Sequence, residues 1–194
     1  MKHTITCLLT LCVVFVSNNL ALAKSATISL HMNQVGVYSG ERGEFYVFNV
    51  SLPEDVAGKR LDSVFLEFAV DATPLSEEDS VTVTPEVGVF PLTETYQAGG
   101  GIGGRNAEPV FTRLVPSLRP VAGGENRLVK MDVTDTIRGW IANPATNHGL
   151  VIGSLTGPEV ATVTLKEAIP GGSSPIRITF FYQNRFGDRI SARQ

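Results

Sequence analysis

The chain has 194 residues, of which 16 are Lys or Arg and 19 are Asp or Glu. This mild excess of acidic residues argues against nucleic acids and anionic membranes as partners, because both are bound by clustered basic side chains. The length suits one domain that can bury a core of its own.

The first 23 residues have the pattern of a secretory signal peptide. Lys2 gives a basic start, an apolar run extends from Ile5 to Val16, and Ala21–Ala23 supplies small residues for cleavage. The apolar run has 12 residues, whereas a membrane-spanning helix needs about 20. We therefore expect a protein that is secreted, extracellular or periplasmic, and not inserted in a membrane after cleavage. Both cysteines lie in the segment that is removed, so no disulfide can stabilise the chain from Lys24 onwards.

Short β-rich segments separated by turn residues follow one another through the rest of the chain. In Phe45–Leu52 and Val64–Val70 the alternation predicts one apolar face and one mixed face. Eight strands are predicted: Thr27–Met32, Phe45–Leu52, Leu61–Val70, Val81–Phe90, Leu128–Val133, Leu150–Gly153, Ala161–Leu165 and Ile176–Tyr182. Pro85 places the fourth strand at an edge or bends it. The pattern predicts a single all-β domain over residues 24–194, a jelly-roll β-sandwich of about eight antiparallel strands with one short helix.

The one segment with a helical period is Thr134–Ala142. Thr134 is predicted to cap its amino end. Ile137, Trp140 and Ile141 fall on one face of such a helix. Because a glycine inside the segment lowers its intrinsic propensity, we expect the helix to form only by packing this face on the sandwich.

Residues 93–120 are predicted to form a long loop that contains the glycine-rich stretch Gly99–Gly104. Loops of this length are either functional or disordered. Tyr96 is the predicted exposed aromatic contact in this loop, since sugar-binding sites stack ligands on exposed rings. Together with Arg105 and Phe111, it forms the candidate ligand-binding set.

The chain that follows the leader offers little for catalysis. It has no thiol, its imidazoles are His31 and His148, and no serine lies in the strained glycine turn of hydrolases. We therefore predict that the protein is not an enzyme and needs no cofactor. The acidic cluster Glu77, Glu78 and Asp79 is typical of a solvated loop, and it is also a candidate calcium site.

Met131–Trp140, followed by Asn147–Ile152, resembles the signature of the DNRLRE domain, also classed as carbohydrate-binding module family 96 and related to disaggregatases. Phe45–Pro53 and Leu61–Phe68 resemble the early strands of the same family, and the resemblance extends over about 29–182. A similar strand-to-helix signature occurs in propeptides of transforming growth factor β, so the resemblance implies the fold more than the function. It implies a packing role, rather than a site, for Asp132, Thr134, Trp140, Asn147 and Gly149.

Two functions are predicted. The first is a secreted, non-catalytic module that binds polysaccharide at or outside the cell surface. The alternative is a structural or assembly subunit of an extracellular matrix, fibre or envelope complex, in which Ser25–Asn33 adds as a strand to the sheet of a neighbour. The partner is accordingly a polysaccharide or another extracellular protein, and self-association distinguishes the two functions. A carboxylate-driven lyase or hydrolase is the third class, and it lacks a recognisable constellation.

Overall fold

The computed structural model describes residues 24–41, 43–74, 86–97, 109–111, 117–120, 124–154 and 161–183. The described strands are β1 (Lys24–Leu30), β2 (Val35–Gly40), β3 (Gly43–Phe48), β4 (Arg60–Pro74), β5 (Glu86–Pro91), β6 (Ser117–Pro120), β7 (Gly124–Asp132), β8 (Leu150–Ser154), β9 (Ala161–Leu165) and β10 (Ile176–Gln183). The α-helix, α1, covers Thr134–Ala142, and short 3-10 turns cover Met32–Gln34, Glu54–Val56 and Pro144–Thr146.

The strands form two antiparallel sheets. Sheet A has the order β1-β10-β4-β7, with β9 paired to the last residues of β4, and sheet B has the order β2-β3-β8-β5-β6. When β2 and β9 are left aside, the eight remaining strands, renumbered along the chain, have the orders 1-8-3-6 and 2-7-4-5. This is the strand order of a jelly roll. The predicted all-β jelly-roll sandwich is confirmed.

Two described strands were not predicted. β2 contains two glycines and lacks a clear apolar alternation. β6 lies inside residues 93–120, so the prediction of one continuous loop there is wrong: Ser117–Pro120 pairs with β5 at the edge of sheet B. Pro85 and the stretch Gly99–Gly104 lie outside the described residues.

The main core lies between the sheets and is built by strict alternation on the central strands of sheet A. On β4, Val64, Leu66 and Phe68 are fully buried, and on β10 the residues Ile176 and Ile178 are fully buried opposite them. Their neighbours in sequence therefore point to the outer face of sheet A.

Sheet B, by contrast, is covered on both faces. All four residues of Phe45–Phe48 are buried, and they alternate between the main core and a second apolar cluster on the outer face. The mixed face predicted for this segment is therefore buried at Phe45 and Val47 and exposed only beyond the end of the strand, at Asn49 and Ser51. The reason is that aromatic side chains from β2 and from residues 93–120 pack over the outer face of the sheet.

Helix α1 has the predicted bounds, and its residues Ile137 and Trp140 are buried against the sandwich. The predicted cap is wrong in its detail, because Thr134 is the first helical residue. The Asp132 carboxylate accepts the Thr134 N–H at 2.9 Å. The Thr134 hydroxyl donates to the same carboxylate and accepts the Val64 N–H at 2.8 Å, which ties the helix to β4.

The other signature residues also make structural contacts. The Asn147 amide donates to the carbonyl oxygen of Val50 at 2.9 Å, which joins the segment before β8 to the segment after β3. Gly149 has a φ of +100°, a conformation that favours glycine. Among the described residues, no helix has the length and apolar character needed to cross a membrane.

Candidate functional site

Two of the three predicted ligand-binding residues lie in one layer on the outer face of sheet B. This aromatic layer consists of Tyr38, Phe45, Phe90, Tyr96 and Phe111. The ring of Phe111 has its centroid 4.9 Å from that of Phe90 and 5.6 Å from that of Phe45. Arg105 lies outside the described residues.

Tyr96 is partly buried, so the expectation of an exposed ring is wrong. Its ring packs on β2, where a Cβ atom added at Gly36 would lie 3.3 Å from Tyr96 Cε1. Its hydroxyl is buried and has no hydrogen-bond partner among the described residues. Burial, together with the nearby Tyr38, raises the pKa of this hydroxyl. The rings of the aromatic layer thus pack against one another and against β2. A ligand-binding role for Tyr96 and Phe111 stays a prediction.

The predicted calcium ligands Glu77, Glu78 and Asp79 lie outside the described residues. Within the described ranges, no group of three or more His, Cys, Asp or Glu side chains could hold a metal ion. The imidazole of His148 lies in the turn before β8, where its Nδ1 atom is 3.4 Å from the hydroxyl oxygen of Thr95.

The outer face of sheet A carries a different surface, formed by aligned side chains from four strands. The first row is Ser25, Phe181 and Ser63; the second is Thr27, Thr179, Phe65 and Asp132; the third is Ser29, Arg177, Glu67 and Lys130. These three rows are called the sheet A surface below. It combines hydroxyls, charged groups and two phenylalanine rings on one side of the sandwich.

Phe65 and Phe181 are half-buried neighbours on adjacent strands of this surface. Their ring centroids are 6.1 Å apart and the rings are inclined at 72°. The Lys130 ammonium lies 4.6 Å from the centroid of Phe65. The ammonium thus occupies one face of Phe65, whereas in the described part of the chain no cation lies over the ring of Phe181, the ring of the pair on which a ligand can pack.

Glu67 sits between two cations in the third row. Its carboxylate accepts from Arg177 Nε at 2.7 Å and lies 3.2 Å from Lys130 Nζ. Burial alone would raise the pKa of this carboxyl, but the hydrogen bonds from Arg177 and Lys130 outweigh it and lower the pKa below its ordinary value. The carboxylate is therefore charged at neutral pH and orients both cations.

We expect Glu67→Gln to lower the free energy of unfolding by about 1–2 kcal/mol at pH 7, since it removes charged hydrogen bonds from a mostly buried side chain. A lowered carboxyl pKa stabilises the fold above the unfolded-state value of 4.5, and that stabilisation is lost as the pH falls through the folded-state pKa. Urea unfolding at several pH values should therefore show the wild-type and variant curves converging below pH 4.5. The exposed Glu54→Gln is the control, expected within about 0.5 kcal/mol. A difference that persists unchanged at low pH would contradict this role.

A cleft of about 360 Å³ opens beside the first turn of α1, and we call it the helix cleft. Its polar lining comes from Asp62, Ser63, Asp132, Thr134, Asp135 and Thr136. Val89 and Leu150 of sheet B add apolar lining. Arg138 closes one side, where its Nη2 donates to the carbonyl oxygens of Leu61 and Asp62 at 3.1 and 2.9 Å.

The helix cleft and the sheet A surface adjoin. Ser63 lines the cleft and lies opposite Phe181, and Asp132 lines the cleft and lies opposite Phe65. The combined site can pack apolar ring faces on Phe181 and form hydrogen bonds through hydroxyls, carboxylates and the Arg177–Glu67–Lys130 group. Within the three rows, two cations face two carboxylates, those of Glu67 and Asp132, and the helix cleft adds Asp62 and Asp135 against Arg138. The combined site thus has no excess of positive charge and suits a neutral ligand.

This site was not predicted from the sequence, in which Phe65 and Phe181 count only as strand residues. The alternation of side chains along each strand could have identified both residues. Each has buried aliphatic or aromatic neighbours on both sides in its strand, so each must point outward, onto a face otherwise rich in serine, threonine and charge.

Comparison with known proteins adds no assignment: no protein-family model matches the chain, and no curated protein matches it. The resemblance to the DNRLRE domain therefore stays a prediction.

Proposed function

We propose that the protein is a secreted, non-catalytic module that binds polysaccharide through the sheet A surface and the adjoining helix cleft. The observation that supports this proposal most directly is the half-buried Phe65–Phe181 pair in three rows whose other side chains are all hydroxyl or charged groups. Sugar rings have apolar C–H faces and polar edges, so they suit a site with a ring to pack on and polar groups around it.

The extended form of the site favours a chain-like ligand. The three rows run across four strands, which places groups from β1 to β7 within reach of successive units of one polymer. The helix cleft continues from the end of these rows and has room for a polar group or a single sugar unit. The cations and carboxylates of the combined site balance to within one charge, which favours a neutral glycan.

We expect Phe181→Ala to weaken binding of any retained glycan at least about tenfold, which corresponds to about 1.4 kcal/mol. The reason is that this ring is the accessible apolar contact of the surface. The first measurement is binding of the protein to an array of polysaccharides. Calorimetric titration with the glycan that is retained then gives the affinities of wild type and Phe181→Ala.

Leu128→Ala is the matched control for this change. Leu128 is 53% exposed on sheet A, one row beyond the Glu67 row, so its loss should leave binding unchanged. Phe181→Tyr keeps the ring and should retain binding. A silent array, or equal affinity of wild type and Phe181→Ala, would refute the proposed site. Release of new chain ends from the retained glycan would refute the non-catalytic assignment.

A second candidate function is a structural or assembly subunit of an extracellular matrix, fibre or envelope complex. It is favoured by the position of β1, which in the described part of the chain pairs with β10 alone and so lies at the edge of sheet A. A protein that binds no glycan and forms defined oligomers or chains would make this candidate the primary one.

A further inference from the structure

The edge strand β1 has one of the features that usually prevent edge-to-edge pairing, the inward-pointing charge of Lys24 at its first residue, and lacks the others. It has seven residues that pair with β10 without a register shift, it contains no proline, and its one charged residue is Lys24 at its beginning. Edge strands in natural proteins are commonly shortened, bulged, or interrupted by proline or by charged residues that point inward. Every second residue of β1 directs its backbone N–H and C=O away from β10.

The apolar core is also incompletely covered along this edge. Ala26 and Ile28 pack against the core and are only partly buried. β2, which follows β1 after one short turn and is the edge strand of sheet B, carries Val37 with 38% exposure. A partner strand beside β1 would cover these side chains while it paired with the backbone.

The sequence of β1 is complementary to itself in one antiparallel register. A two-fold axis at Thr27 places Ala26 opposite Ile28 on the core side and Ser25 opposite Ser29 on the outer side. It also places the exposed Lys24 of each strand opposite the buried Leu30 of the other, at the ends of the pair. The two Lys24 side chains then lie at opposite ends of the paired strands, about 20 Å apart, because six residues separate the positions at about 3.4 Å each. This register therefore extends both faces of the sheet and brings no like charges together.

We propose that a second copy of this chain pairs with β1 in this antiparallel register, forming a dimer whose two five-stranded A sheets make one continuous sheet. The interface is isologous, as in most homodimers. Because Thr27 meets Thr27 on the outer side, the two sheet A surfaces face the same way. If the proposed polysaccharide binding holds, one polymer can engage both surfaces, and the apparent affinity rises by about 10²–10⁴ through bivalency.

The first test is the mass of the exported protein by light scattering after size exclusion, over a range of concentrations and without glycan. Wild type should approach twice the monomer mass as concentration rises. Thr27→Lys should remain monomeric, because it places two ammonium groups directly across the axis at an exposed position. Thr162→Lys makes the same change at an exposed threonine of β9 and should leave the dimer intact.

Two further variants keep the test decisive. An equimolar mixture of Thr27→Lys and Thr27→Glu should regain the dimer mass, since opposite charges then meet at the axis. Thr27→Cys should form a disulfide-linked dimer on mild oxidation, because residues directly opposite in an antiparallel pair have Cα atoms within disulfide range. Thr162→Cys should not.

A wild type that stays monomeric at every concentration would overturn the proposal, and so would a Thr27→Lys variant that dimerises as wild type does. A dimer whose Thr27→Cys variant fails to cross-link places the interface elsewhere and also overturns it. These measurements use no glycan, so a dimer that is confirmed while the polysaccharide array stays silent removes only the proposed bivalent binding.

Discussion

Trp140→Ala is expected to lower the free energy of unfolding by about 3–5 kcal/mol, the cost of removing a large buried side chain from a packed core. Trp140 is 3% exposed and lies on the apolar face of α1 with Ile137. A nine-residue helix is marginal on its own, so the loss should also reduce helical signal. Urea unfolding followed by circular dichroism measures both effects.

Gly139→Ala is the control on the same helix. Gly139 is exposed, and a Cβ atom added there would meet no atom within 4 Å, so alanine should stabilise the protein by up to about 1 kcal/mol. The pair of variants separates packing from helix propensity. A Trp140→Ala protein within about 1 kcal/mol of wild type would show that α1 does not depend on this contact.

The second large effect is expected for Gly149→Ala, at about 2–4 kcal/mol of lost stability. Gly149 has a φ of +100°, and a Cβ atom there would lie 2.6 Å from the carbonyl oxygen of Phe48 and 2.9 Å from Asn49 Oδ1. The cost therefore combines backbone strain with a contact that only a shift of β3 could relieve. Thermal and urea unfolding of the variant give the measurement.

Gly171→Ala separates these two contributions. Gly171 also has a positive φ, +75°, but nothing lies within 4 Å of a Cβ atom added there. We expect this variant to lose about 1 kcal/mol, from backbone strain alone. Equal losses at the two positions would show that the close approach to Phe48 contributes nothing.

The fold was predictable where one face of an element meets the core. Val64, Leu66 and Phe68 repeat with period two and are all fully buried, so β4 could be recognised from its pattern. Ile137 and Trp140 repeat with helical spacing, and the bounds of α1 were found for the same reason.

Elements whose burial depends on distant segments could not be predicted in the same way. β3 is buried on both faces because Phe111 and Tyr96 pack on it from residues 93–120, and its own sequence gives no sign of that cover. β2 forms through pairing with β3 although its two glycines weaken strand propensity. In both cases the tertiary contact overrides the local pattern.

The candidate site was less predictable than the fold, because it depends on which residues the pairing of β10, β4 and β7 places side by side. Phe65, Thr179 and Asp132 are far apart in sequence and become neighbours only through the order β10-β4-β7. The sequence pattern favours the long loop as the place of exposed rings, whereas the half-buried pair lies on regular strands. Asp132 was interpreted as a packing residue, and its contacts with Thr134 agree with that, but it also lines the helix cleft.

The pairing of β1 with β10 has a consequence for how the chain reaches its native state. These partners lie at opposite ends of the described sequence, with Lys24 opposite Tyr182. Contacts between residues so distant along the chain are slow to form. β1 therefore has no partner in sheet A until Ile176–Gln183 has folded onto β4. Until then the edge of β4 that β10 will cover is unpaired. Association between incompletely folded chains can then compete with correct pairing.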